Sequence, residues 1–204
     1  MASPALDHAR DLAADPALLA ITHRHAAALG KPHWIDYHEG LERNYHYLFQ
    51  QAPHLLRAGL RVLDIGPGPG HVMLLLRCHG ADVWGEDAAI DTDRVAAYAE
   101  VTRHLGLQVR YRGFHLYFDD TWPYGEPFDV VHARGALDGV ISAAGANVQG
   151  VLALIHHALR QGGEMFLSHN THPTTAAFVA HLDAHREGWE VLRNDMAITR
   201  AVRL

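Results

Sequence analysis

Apolar and polar positions follow two rhythms along this chain, and the change falls near residue 60. The first stretch has helical spacing. Ser3-Pro4 and Asp15-Pro16 each set a capping side chain ahead of a proline at a first helical position, and Gly30 followed by Pro32 ends the second segment. In the third, HWIDYHEGLERNYHYLFQQ, the residues Trp34, Tyr37, Leu41, Tyr45 and Leu48 recur at spacings of three and four. That is the stripe one helical face buries, with Gly40 as its weak point.

From Leu60 the pattern becomes alternation. Short β-branched runs occur at Arg61–Ile65, Asp82–Glu86, Gln108–Arg112, Phe128–Ala133 and Glu164–His169, with helical patterns at Gly70–His79, Thr92–Leu105 and Asn147–Arg160 between them. Strand and helix in turn at this spacing predict a parallel sheet with helices on both faces. One more helix, ended by Gly188, precedes two strand-like runs, Trp189–Arg193 and Ala197–Leu204. Their short link cannot make a crossover, so they are read as an antiparallel hairpin. The expected fold class is α/β: a doubly wound, seven-stranded, mostly parallel sheet with a C-terminal antiparallel strand, plus N-terminal helices. Residues 1–57 are read as a helical extension or lid and 58–204 as the main domain. Ligands of such sheets bind beyond the carboxyl ends of the strands, near the first one.

Composition narrows the partners. The chain has 204 residues, 49% hydrophobic and 20% charged, with a formal net charge of −6. Lys31 is its one lysine and no window carries a run of basic residues, so a nucleic-acid partner is not expected. A single cysteine, Cys78, leaves no internal disulfide. The opening MASPALDHAR lacks the apolar stretch of a signal peptide, and no run reaches the length of a membrane span. The expectation is a cytoplasmic globular protein without a membrane partner; oligomeric state is not legible.

The densest chemistry lies in VLDIGPGPGHVMLLLRCHGADVWGED, from Val62 to Asp87. A buried strand carrying Asp64 leads into Gly66-Pro67-Gly68-Pro69-Gly70, and a helix follows. Glycines at alternate positions suit a tight turn that a ligand touches. The dinucleotide fingerprint fails, because its third glycine would fall on His71 or Met73, and the phosphate loop fails for want of a lysine. What remains, D-x-G-x-G-x-G, resembles motif I of the class I S-adenosylmethionine-dependent methyltransferases. The acid closing ADVWGED matches the family's second-strand acid at Asp87, with Glu86 one residue earlier. FDVVHARGAL (Phe128–Leu137) looks like the family's fourth strand, and ALRQGGEMFLS (Ala158–Ser168) like its next helix, turn and fifth strand.

The resemblance implies S-adenosylmethionine as cofactor. Asp64, Gly66, Pro67, Gly68 and Gly70 would wrap its methionine part and ribose, and Asp87 would accept from both ribose hydroxyls. Where the family often has Gly-Asp-Ala after the third strand, this chain has Gly113-Phe114-His115, which moves adenine recognition to Phe114 and backbone. Tyr37, or a neighbour on its helix, would close the site.

Eighteen histidines invite a metal reading. None of the close groups (His23 with His25, His156 with His157, His169 with His172) has a metalloprotease spacing or a cysteine partner, so no metal is expected. His132, in the fourth strand, and His169, after the fifth, are the candidate bases, with Asp138 as an orienting or cation-binding carboxylate. The implied activity is methyl transfer to a small-molecule acceptor. Two alternatives stay open: a methyltransferase-like protein that holds the cofactor or a partner without turnover, and non-methyl chemistry on the same fold, such as aminopropyl transfer.

Overall fold

The computed structural model describes residues 3–30, 36–87, 92–111, 124–136, 148–170 and 173–204. Its elements, in chain order, are α1 (Pro4–Ala13), α2 (Pro16–Leu29), α3 (Tyr37–Gln51), β1 (Arg61–Ile65), α4 (His71–Cys78), β2 (Asp82–Asp87), α5 (Thr92–His104), β3 (Gln108–Tyr111), β4 (Phe128–Arg134), α6 (Val148–Ala158), β5 (Leu159–Ser168), α7 (Pro173–Ala184), β6 (Trp189–Asn194) and β7 (Ile198–Arg203). Seven strands form one sheet in the order β3-β2-β1-β4-β5-β7-β6. β1, β4 and β5 run parallel, while β7 is antiparallel to both of its neighbours. Two compact units divide the chain: residues 1–60, 67–85 and 89–111 in one, and 61–66, 86–88 and 112–204 in the other. The N-terminal helices therefore share a unit with α4, most of β2, α5 and β3.

In that first unit the caps act as the sequence predicts, with one exception. Asp15 accepts from the Ala17 N–H, and Gly30 closes α2 in the left-handed region at φ 59°. Ser3 precedes Pro4 as expected, but its side chain makes no capping bond. α3 starts at Asp36, which accepts from the Glu39 N–H at 3.0 Å. Its buried face carries Tyr37, Gly40, Leu41, Asn44, Tyr47 and Leu48. Tyr45 is therefore off the stripe, where it stacks on Phe49 at 6.1 Å; Trp34 lies outside the described residues. Gly40 accounts for the shift. A Cβ there would lie 2.4 Å from His71 Nε2 on α4, so the missing side chain makes room for an imidazole.

In the second unit, Val62, Leu63, Ile65, Phe128, Val131, Ala133, Met165 and Leu167 are all almost fully buried. Strands covered on both faces read as continuous apolar runs, which is why the sequence showed them clearly. The Gly162-Gly163 pair, read as a turn, lies inside β5, which begins directly after α6. The register with β4 slips between Phe128 and Val130, and a Cβ on Gly163 would press on the Phe128 and Asp129 carbonyls at 3.1 Å. The glycines permit a bulge rather than a turn. The hairpin is held by Asp195, whose carboxylate accepts from the Ala197 and Ile198 N–H groups and from Arg193. Arg193 first, then those two backbone donors, hold its pKa at about 2. No helix among the described residues is long and apolar enough to cross a membrane.

Candidate active site

Gly66, Gly68 and Gly70 all have positive φ, at 67°, 54° and 83°. Their surroundings differ. A Cβ on Gly66 would lie 2.2 Å from the Ala136 Cβ, and the Gly66 N–H donates to the Glu86 carbonyl at 2.8 Å. One on Gly70 would meet Leu107 at 2.6 Å and Thr102 at 3.2 Å. At Gly68 the nearest atoms are those of the Tyr98 ring, at 3.8 Å. Protein packing thus explains the outer two glycines, whereas at the middle one a Cβ would make only ordinary van der Waals contact, with the Tyr98 ring. Pro67 packs toward Gly85, where a Cβ would come within 3.0 Å of its ring.

At the strand ends of the second unit, Asp64 is 2% exposed and His132 fully enclosed. They face each other across β1 and β4, and His132 Nδ1 lies 2.7 Å from Asp64 Oδ1. The same cross-strand row continues to Phe166, whose ring is nearly parallel to the imidazole at 6.3 Å. Asp64 Oδ2 is buried and has no hydrogen-bond partner among the described residues. Such an orphan acceptor calls for a donor that the described residues do not supply. Asp87 ends β2 half-buried, whereas Glu86 before it is 3% exposed. The acid in the more accessible position is the one the motif selects.

His169 follows β5, with its N–H bonded to the Ala197 carbonyl and its Nε2 2.8 Å from the Thr199 hydroxyl. Its ring tilts against Phe178 at 5.8 Å. Next to it, the Asn170 amide donates to the Gly135 carbonyl at 2.8 Å, and the Gly135 N–H donates to Ser168, tying the ends of β4 and β5 together. In the first unit Tyr37 is 1% exposed, its ring 4.4 Å from that of His71, and its hydroxyl has no hydrogen-bond partner among the described residues. Burial pushes that hydroxyl's pKa far above its ordinary value. Phe114 and Asp138 lie outside the described residues, as does His172.

The structure therefore joins Asp64 to His132 and Gly66 to Glu86, while His169 is held by β7. Sequence reasoning did not find His71, Ala136 or Thr199 near these positions. Only the unexpected glycine at 40 hinted at one of them, His71. Among the described residues, no group of three or more His, Cys, Asp or Glu side chains is arranged to hold a metal.

The sequence model of a family described as a methyltransferase domain matches residues 33–198. The chain belongs to this family, the class I S-adenosylmethionine-dependent methyltransferases. It is 34% identical over 116 residues to a protein-L-isoaspartate O-methyltransferase of Methylorubrum populi, covering 55% of this chain and 46% of that one. The methyltransferase chain thus matches less than half of that relative's length. Among solved structures, the glycopeptide N-methyltransferase MtfA complexed with S-adenosyl-L-methionine has a TM-score of 0.55 at 13% identity, covering 81% of this chain and 94% of that one. The precorrin-6y C5,15-methyltransferase of Geobacter metallireducens gives 0.51 at 13% identity, covering 74% and 87%. At such identities the likeness to these methyltransferases is one of fold.

Proposed function

We propose that this chain transfers the methyl group of S-adenosylmethionine to a small-molecule acceptor. The observation that carries the reading is Gly68, left-handed and free of any close clash in a loop whose other two glycines are pressed by neighbouring side chains. Gly66, Pro67, Gly68 and Gly70 hold the methionine part and ribose, with Asp64 at the methionine end. The Asp87 carboxylate accepts from the two ribose hydroxyls, Phe114 stacks on adenine, and a neighbour of the enclosed Tyr37 on α3 closes over the cofactor. When bound, the sulfonium supplies an electrophilic methyl carbon.

The chain's residues then do the positioning, since in-line displacement needs aligned atoms near ~3–3.5 Å. His169 takes the proton where the acceptor is a hydroxyl or an ammonium, with Asp138 orienting it. His132, enclosed in the sheet, is assigned to positioning instead. A net charge of −6 and a single lysine favour a small acceptor over a nucleic acid.

Thermal unfolding with added ligands tests the cofactor. S-adenosylhomocysteine at about 100 times its dissociation constant should stabilise the fold by about 2.7 kcal/mol, while NAD and ATP leave it unchanged. Stabilisation by NAD alone would overturn the reading. Labelled cofactor incubated with a metabolite extract, tRNA or bulk protein tests the acceptor. Label is expected in the small-molecule fraction, and label confined to a macromolecule refutes that part.

A further inference from the structure

We infer that His132 is a positioning residue, holding the Asp64 carboxylate so that Oδ2 meets the α-ammonium group at the methionine end of the cofactor. The inference rests on the cofactor reading above and adds a role for a residue that touches neither cofactor nor acceptor.

Four observations lead to it. First, His132 stands between Val131 and Ala133 in a strand whose neighbours are apolar and buried, so an imidazole there requires a reason beyond packing. Second, strand register sets Asp64 opposite His132 and His132 opposite Phe166, which fixes both the height and the plane of the ring. Third, the bond between Nδ1 and Oδ1, at 2.7 Å, engages only one carboxylate oxygen and stops the carboxylate turning about its own bond. Fourth, the other oxygen is buried and has no donor among the described residues.

A carboxylate held rigidly by one oxygen, with the second left open, is arranged to receive a compact cation with several donors. A primary ammonium has that form. The methionine end of the cofactor carries one, and adenosine does not. Had His132 served only to neutralise a buried acid, an apolar pair at the two positions would have filled the space without an orphan acceptor.

The test compares two probes by calorimetric titration of the full chain. S-adenosylhomocysteine carries the amino-acid end; 5′-methylthioadenosine has the same adenosine and thioether without it. H132L should weaken S-adenosylhomocysteine roughly ten- to hundredfold, as for a charge-assisted hydrogen bond, and leave 5′-methylthioadenosine within about twofold. H132N places an amide nitrogen where Nδ1 stood and should restore affinity to within about threefold of the parent. D64N should lose as much as H132L, and the double variant no more than either, because the two act through one contact. If H132L does not unfold cooperatively, D64N and H132N carry the comparison with the same two probes. Equal weakening of both probes makes the pair structural and overturns the inference, as does undiminished S-adenosylhomocysteine affinity in D64N. A parent protein that binds neither probe refutes the cofactor reading itself, a result distinct from both.

Discussion

Three histidine–carboxylate pairs of nearly equal length lie in very different surroundings. In the sheet of the second unit, His132 and Asp64 are 2.7 Å apart with side chains 0% and 3% exposed. In the helical unit, His25 and Glu100 are also 2.7 Å apart but 18% and 37% exposed, and His104 and Asp15 are 2.5 Å apart at 28% and 40%. Distance does not rank them; water does. An exposed pair exchanges hydration for a screened attraction and ends near zero, whereas a buried acid that loses its partner is left with a desolvated charge. The outer pairs join α2 to α5, so they guide where the helix lies more than they stabilise it. The inner pair fixes one geometry at the end of β1.

Removing one partner from each pair should give the largest contrast. His132→Ala should cost about 3–5 kcal/mol in urea unfolding, since Asp64 stays buried without a donor. His25→Ala and His104→Ala should be indistinguishable from the parent in the same titration. Equal losses in all three would mean that burial is not what separates them.

The glycine loop extends the contrast to overlapping and ordinary contacts. Gly66→Ala combines left-handed strain with overlap on Ala136 and should cost about 2–4 kcal/mol of stability. Gly68→Ala carries only the strain, roughly 1–2 kcal/mol, yet should lose most affinity for S-adenosylhomocysteine. Stability and affinity measured on the same two proteins separate the roles, and parallel losses would undo the assignment of Gly68 to a ligand.

Asp87 and Glu86 divide in the same way. Asp87→Ala should weaken S-adenosylhomocysteine about 100-fold with little change in unfolding midpoint, through two lost charge-assisted hydrogen bonds. Glu86→Ala should do the reverse, because that side chain is 3% exposed. The opposite outcome would place the ribose acid one residue earlier.

The smallest effect is on acid stability. The hydrogen bond from Arg24, then that from His25, lowers the Glu100 pKa; His104, then the Ala17 N–H, lowers that of Asp15. Carboxylates depressed on folding contribute stability above their ordinary values, and it is lost as pH falls through the depressed ones. Unfolding midpoints should therefore hold from neutrality down to the ordinary carboxylate range and drop below it. His104→Ala should show a slightly shallower drop, and an unchanged acid profile would mean that Asp15 draws nothing from His104.

Much of the fold was legible because its signals are local. Arg61–Ile65 was read from five residues and is β1 to the residue, and the link after Asn194 had to be a hairpin because nothing longer was available. Errors arose where a neighbour from elsewhere decided the outcome. Gly162-Gly163 looks like a turn in isolation, but the Asp129 and Phe128 carbonyls make it a bulge. Tyr45 has the right spacing for the buried stripe, but the face that packs keeps Tyr37, Leu41 and Leu48 and takes Gly40, Asn44 and Tyr47 in its place, with His71 close against Gly40.

The loop and its acids were visible for the same local reason. They lie within one short stretch of chain, so the sequence alone determined a strand, the left-handed glycine turn after it and the pair of acids at the end of β2. The role of His132 was not visible: Asp64 lies 68 residues away, and only the register of β1 on β4 brings the two side chains together. Sequence set which groups were available. Tertiary structure decided which of them lost their water, and a desolvated carboxylate constrains its neighbours in a way that a hydrated one does not.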